Sequence, residues 1–250
     1  MPDSKRLTRL YFSGELEPGR AYALPAPQAH HATRVLRLKQ ADGVTLFNGD
    51  GAEYPATVER IAKAGVTVKV RERMTAGRES PLTVTLAQAV SSGERMDYTV
   101  QKAVELGVAA IQPLAASRSI VRLSTERAAR RVSHWREVVV AACEQCGRNR
   151  LPAVAAIAPL GPWLAQCQTR NDGALRLLLT PHAETGLRGL AKPPQSILLL
   201  AGPEGGLAQD EETVARRSGF IPVRLGPRVL RTETAAVAAL AAMQALWGDF

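Results

Sequence analysis

Two glycine-rich turns near the C-terminus constrain this chain more than any other feature. The run Ser196-Ile197-Leu198-Leu199-Leu200-Ala201 leads into Gly202-Pro203-Glu204-Gly205-Gly206-Leu207. The run Ile221-Pro222-Val223-Arg224-Leu225 leads into Gly226-Pro227-Arg228-Val229-Leu230-Arg231-Thr232-Glu233. Each is a short apolar run that breaks into Gly-Pro and then into a helix-like segment. That is how a buried strand of a parallel sheet reads. Ligands of open α/β sheets bind outside the carboxyl ends of such strands, where glycine lets backbone groups approach closely. Two such loops so close in sequence predict one pocket with two walls.

The spacing excludes the common nucleotide sites. A dinucleotide fold wants Gly-x-Gly-x-x-Gly and an acidic residue about 20 positions later. Gly202, Gly205 and Gly206 have the wrong spacing, and along the second run no carboxylate comes before Glu233. A Walker loop needs Gly-Lys-Ser/Thr, whereas Leu207 and Ala208 follow Gly206. Either loop alone would pass as a plain βα turn. The pair, with Arg228, Arg231 and Glu233 in the second, points to a ligand.

Upstream, strands and helices alternate from Pro81 onward, as in a parallel sheet with crossover helices. The pattern predicts strands at 82–90, 109–114, 175–180, 196–201 and 221–225. Helices are predicted at 94–106, from a Ser124 cap to about Gly147, at 209–218 and at 232–247. Residues 1–74 read instead as a small β-rich barrel. Strands at 44–47, 52–58 and 66–70 are separated by the turn signals Asp42-Gly43, Asn48–Gly51 and Ala64-Gly65. Polar 74–81 reads as the linker, giving domains 1–74 and 75–250.

The formal charge of +9 points to an anionic partner. Residues 1–74 and 75–160 each carry +4, but 161–250 carries only +1. The series Arg118, Arg122, Arg127, Arg130, Arg131, Arg136, Arg148, Arg150 contains no lysine. Guanidinium forks suit phosphate and stacked bases; for Arg127, Arg130 and Arg131 a solvated helix face is an equal reading. His30, His31, Arg34 and Arg37 form a second basic stretch, better suited to RNA than to metal because adjacent histidines diverge. Lys102 and Glu105 read as a helix ion pair. Cys143-Glu144-Gln145-Cys146 sits late in a predicted helix, unlike a redox site, and Cys167, His134 and His182 lack zinc spacing. No metal is expected. No run reaches 18 consecutive apolar residues and Met1–Arg6 lacks a signal-peptide core, so neither a membrane span nor export is expected, and a cytoplasmic location is.

Leu200–Leu207 and Leu225–Ala235 resemble the two signature loops of the RsmE family of ribosomal RNA methyltransferases. So do His31-Ala-Thr-Arg34-Val-Leu-Arg37, Gly93–Asp97 leading to Gln101–Gly107, and Ala142–Arg148. The similarity spans most of the 250 residues; Val229, where isoleucine is more usual, is a minor departure. It implies an α/β fold: an N-terminal PUA-like β-barrel followed by a SPOUT α/β domain with a C-terminal trefoil knot. It implies transfer of a methyl group from S-adenosylmethionine to N3 of one uridine in 16S rRNA, on free RNA or the small ribosomal subunit, by a homodimer.

The cofactor residues expected from this are Leu199, Leu200, Gly202, Glu204, Gly205, Gly206, Leu225, Gly226, Arg228, Val229, Leu230 and Thr232. Arg231 is expected to stabilise developing charge on uracil oxygen and Glu233 to act as base. Glu233 in a first helical turn also suits the helix dipole alone. Arg9, His31, Arg34, Arg37, Arg118 and Arg148 are expected to meet RNA. A non-catalytic RNA-binding protein would not need paired glycine loops. Another SPOUT enzyme, acting on tRNA, would lack the matches at 93–107 and 142–148.

Overall fold

The computed structural model describes residues 8–63, 65–119, 124–191 and 196–250. Arg122 of the arginine series, Ala64 of the third turn signal and the first six residues lie outside these. Two compact units divide the chain: Met1–Glu79 with Cys143–Leu151, and Ser80–Ala142 with Pro152–Phe250.

The smaller unit holds β1 (Thr8–Tyr11), β2 (Ala21–Ala23), the short helix α1 (Ala26–His30) continuing as a π-helical turn His31–Val35, β3 (Gly43–Phe47), β4 (Ala52–Ala62), β5 (Gly65–Val70) and β6 (Met74–Thr75). The strand order is β1-β3-β4-β5-β2, with β6 paired to β4. Among the described residues no ladder joins β1 to β2, the two ends of that order, so the expected barrel is a six-stranded sheet here. The turn before β4 is built by side chains. Asn48 Oδ1 accepts the Asp50 amide at 3.2 Å, Asp50 Oδ1 accepts the Ala52 amide at 2.7 Å, and Gly49 and Gly51 take φ of 96° and 95°. Alternating Val44, Leu46, Ala56, Val58, Val66, Val68 and Val70 fill the core.

Two parts of this unit escaped the sequence. Met74–Thr75, placed in the linker, pairs with Ala52–Glu53 as β6. Cys143–Leu151, nearly seventy residues further on, belongs here too. Arg148 donates to Glu79 at 2.6 Å and Glu144 accepts the Tyr11 amide at 2.9 Å.

The larger unit carries β7 (Thr83–Ala89), α2 (Glu94–Glu105), β8 (Ala110–Ala115), α3 (Thr125–Cys146, of which the last turn from Cys143 counts with the smaller unit), β9 (Ala153–Val154), β10 (Ala158–Pro159), α4 (Leu160–Thr169), β11 (Leu175–Leu179), β12 (Ser196–Ala201), α5 (Gln209–Arg217), β13 (Ile221–Val223) and α6 (Thr232–Trp247). Its sheet runs β10-β8-β7-β12-β11-β13 with β9 beside β8, and all its ladders are parallel. Strand β12 lies in the middle, which explains its unbroken apolar run. Pro222 lacks an amide proton and is tolerated because β13 is an edge strand. Met96, Val100, Ala103 and Val104 of α2 are buried together, as their spacing predicts. Val132, Trp135, Val139 and Ala142 of α3 are buried likewise. Ser124 caps α3, its hydroxyl 3.5 Å from the Arg127 amide.

Candidate active site

The two glycine loops leave neighbouring parts of the sheet. The first follows β12 in its centre; the second follows β13 at its edge. In the first loop the Gly206 amide donates to Pro203 O at 2.9 Å, closing a turn in which Gly206 takes φ of +67°. A Cβ on Gly202 would stand 3.0 Å from the Leu207 nitrogen, so only glycine fits there without displacing backbone. In the second loop Gly226 takes φ of +79°, with open space where a Cβ would point. Val229 at the tip is 81% exposed.

Between the loops lies a cavity of about 310 Å³. Gly202, Glu204, Gly205, Gly206, Leu225, Gly226, Arg228, Val229, Leu230 and Thr232 line it, ten of the twelve residues expected at a cofactor. Leu199 and Leu200 do not. Both are fully buried, and β12 is hydrogen-bonded to β7 on one edge and β11 on the other, so neither side chain nor backbone is offered to a ligand. Leu179, Thr180, Pro181, His182, Glu212 and Arg224 also line the cavity, although the sequence did not mark them as cofactor residues. Thr180–His182 follow β11, and only the strand order reveals that β11 lies between β12 and β13. Glu212, on α5, brings a carboxylate to the cavity wall, where the second run has none before Glu233.

Glu204 is fixed from outside its own loop. Its Oε1 accepts the Ser92 amide and hydroxyl, both at 2.9 Å, and an Arg95 donor at 3.0 Å. Burial alone would raise its proton affinity. The Ser92 and Arg95 hydrogen bonds outweigh it and hold the carboxyl below the ordinary value, so Glu204 stays charged. Arg118, expected at RNA, lines the cavity and donates to Gly205 O at 3.0 Å and Leu207 O at 3.4 Å.

Arg231 and Glu233, expected to carry the chemistry, flank Thr232 at the start of α6 and do not line the cavity of their own chain. Arg231 is exposed. Glu233 is half-buried, and its Oε2 has no hydrogen-bond partner among the described residues.

Two of the expected RNA contacts are corrected by the structure. The Arg9 side chain is 7% exposed; it pairs with Glu53 at 2.6 Å, donates to Asn149 and lies over the Phe47 ring. The Arg148 side chain is also 7% exposed and pairs with Glu79 at 2.6 Å. Charge alone marked them for RNA, but their partners within the smaller unit bury them. His31, Arg34 and Arg37 are exposed and flank Val35 and Leu36, themselves 62% and 36% exposed. Lys102 pairs with Glu105 at 2.8 Å. Burial pushes the Cys143 thiol up to about 12, the wrong direction for a reactive thiolate. Among the described residues no group of three metal-ligating side chains gathers, and no helix is long and apolar enough to cross a membrane.

Comparison with known proteins places the chain in a family. A model of the RNA methyltransferase domain matches residues 78–244, and one of the RNA methyltransferase PUA domain matches residues 24–71. Ribosomal RNA small subunit methyltransferase E of Buchnera aphidicola is 32% identical over 247 residues, covering 99% of this chain and 96% of its own. The chain belongs to the ribosomal RNA small subunit methyltransferase E family. The family member of Synechocystis is 34% identical, over 89% of this chain and 72% of its own. A family member from Neisseria gonorrhoeae, solved bound to S-adenosyl methionine, superposes with a TM-score of 0.91 at 40% identity, over 98% of this chain and 100% of its own. A Legionella pneumophila protein solved with the cofactor SAM gives 0.92 at 41%, with the same coverage.

Proposed function

We propose that this member of the family methylates N3 of one uridine in 16S rRNA, with S-adenosylmethionine held between the two glycine loops. The observation that carries the reading is the cavity itself, lined by both loops and open where Gly206 and Gly226 lack a Cβ. Its polar groups suit the cofactor. The carboxylates of Glu204 and Glu212 suit ammonium and ribose hydroxyl donors, and the guanidinium groups of Arg118, Arg224 and Arg228 suit a carboxylate. The bound cofactor supplies an electrophilic methyl group; the chain must supply orientation and charge.

Uridine N3 carries a weakly acidic proton, so the uracil must be deprotonated or its developing negative charge stabilised. We assign the latter to Arg231, whose exposed guanidinium follows the cavity-lining Leu230. Glu233, with one carboxylate oxygen uncommitted, is the candidate base, typically worth 10²–10⁴-fold. The target base leaves its stack to reach them. In the smaller unit, which takes in the expected domain 1–74, His31, Arg34 and Arg37 meet RNA with the apolar Val35 and Leu36 between them.

We further propose a homodimer through α6, and a trefoil knot within the C-terminal segment. The knot is supported by the chain's return from edge strand β13 to the middle of the sheet. There Thr232 bonds Gly202 at the end of β12, and α6 packs on α2. Mass mapping of 16S rRNA from a strain lacking this protein tests the function. Loss of one N3-methyluridine, restored by the wild-type gene, is expected; an unchanged methylation map contradicts it.

A further inference from the structure

Gln88 does not line the cavity between the loops, yet it joins the two loops that do. It is fully buried near the end of β7, opposite Ala201, the residue before the first loop. Its Nε2 lies 3.2 Å from Gly202 O, 3.1 Å from Thr232 Oγ1 and 3.0 Å from Ala89 O. An amide NH₂ has two hydrogens, which these three acceptors share. The Thr232 hydroxyl in turn donates to Gly202 O at 2.6 Å. Gly202 opens the first loop and Thr232 follows directly on the second. One side chain, behind the cavity wall, therefore closes a triangle across segments thirty residues apart.

Packing does not explain an amide at this position. Gln88 Oε1 is buried with no hydrogen-bond partner among the described residues, a cost that a methionine of similar shape would not carry. What the amide contributes here is the set of hydrogen bonds made by Nε2.

We infer that Gln88 is a positioning residue that sets the separation of the two glycine loops and thereby the affinity for the cofactor. The inference rests on the proposed reading of the cavity as the S-adenosylmethionine site. Its distinctive consequence concerns Gln88→Glu. A carboxylate there cannot donate to Gly202 O, whereas its protonated form can. Cofactor affinity of that variant should fall as pH rises and recover on acidification, over a range where the wild-type affinity is flat.

The test is calorimetric titration of the full-length protein with S-adenosylmethionine, well below each variant's melting temperature. Gln88→Met should bind about tenfold more weakly than wild type or worse, the scale of one or two missing hydrogen bonds. Thr232→Ser, which keeps the hydroxyl, should bind about tenfold more tightly than Thr232→Val. Combining Gln88→Met with Thr232→Val should add little to the weaker single variant, because both break one junction. If Gln88→Met does not fold, the Thr232 pair and the pH dependence of Gln88→Glu decide. Wild-type affinity in Gln88→Met, or equal affinities for Thr232→Ser and Thr232→Val, overturns the inference alone. Failure of the wild-type protein to bind S-adenosylmethionine overturns the reading of the cavity and the inference with it.

Discussion

At Gly226 the backbone turns to a positive φ beside the cavity, with empty space where a side chain would stand. Valine there meets both a strained backbone and an intruding branched side chain. Gly226→Val should therefore lose S-adenosylmethionine binding in calorimetry while the smaller unit keeps its fold; near-normal binding would refute the assignment of the second loop. Arg148 makes the opposite point. Replacing it with alanine takes the guanidinium donors from Glu79 Oε2 and should destabilise the protein by about 1–3 kcal/mol, read from denaturant unfolding, with no change in the salt dependence of RNA binding. Neutralising Arg34 and Arg37 should do the reverse. Stability holds, while the slope of log affinity against log salt shrinks by roughly 1–2, about 0.7–0.9 for each phosphate no longer neutralised. An unchanged slope would show that neither arginine meets phosphate.

Glu204 gives a pH prediction at the same scale. Its folded-state carboxyl lies below its ordinary value of 4.5, so folding favours the charged form. That contribution is complete above the unfolded value and is lost as pH falls through the folded one. Glu204→Gln should flatten the acid limb of stability against pH below about 4.5, leaving other carboxylates to account for what remains. Site residues of this kind were legible where glycine spacing marked them, as with Gly202 to Gly206 and Gly226 to Leu230. His182 and Gln88 carried no such mark, because each reaches the loops only through the strand order, and Glu212, in the first turn of α5, read as an ordinary helix-start carboxylate. Arg9 and Arg148 misled for a related reason: charge in a sequence does not show whether its partner is phosphate or a buried carboxylate.

At the scale of elements, the long periodic helices α2, α3, α5 and α6 and the apolar strands β7, β8, β11 and β12 lie within a residue or two of the positions their patterns predict. Helix α4 was not predicted. Gly161 and Pro162 in its first turn look like a loop, although proline is tolerated there and Trp163, Leu164 and Cys167 bury one face. Two-residue strands such as β9 and β10 have no period to read. From Ala235 to Trp247 the sequence of α6 is apolar on nearly every face, Gln244 being the polar exception. In the chain by itself Ala236, Ala239, Leu240, Met243 and Trp247 are buried. Ala238, Ala241 and Ala242 are partly exposed, Ala245 is exposed and Leu246 is 41% exposed. An apolar outer face on a terminal helix fits a second copy of the chain. Sedimentation at micromolar concentration should give about twice 26.8 kDa, and Ala238→Glu with Leu246→Glu should return the monomer. A wild-type mass near 26.8 kDa would refute the dimer.

At the scale of the whole molecule, the basic charge and the cavity fall to different jobs. Residues 1–160 carry nearly all of the net charge, and 161–250 carry the two loops with almost none. That division suits an enzyme that holds a polyanion with one surface and a compact cofactor in another. The central claim is the transfer itself. It is tested most directly by incubating the purified protein with deuterated-methyl S-adenosylmethionine and small ribosomal subunits, or free 16S rRNA, from a strain that lacks it. Mass spectrometry of the digested RNA then locates the label. The account predicts labelled methyl on N3 of a single uridine, abolished in Gly226→Val. Label on another base or another uridine atom, or none with either substrate, would contradict it.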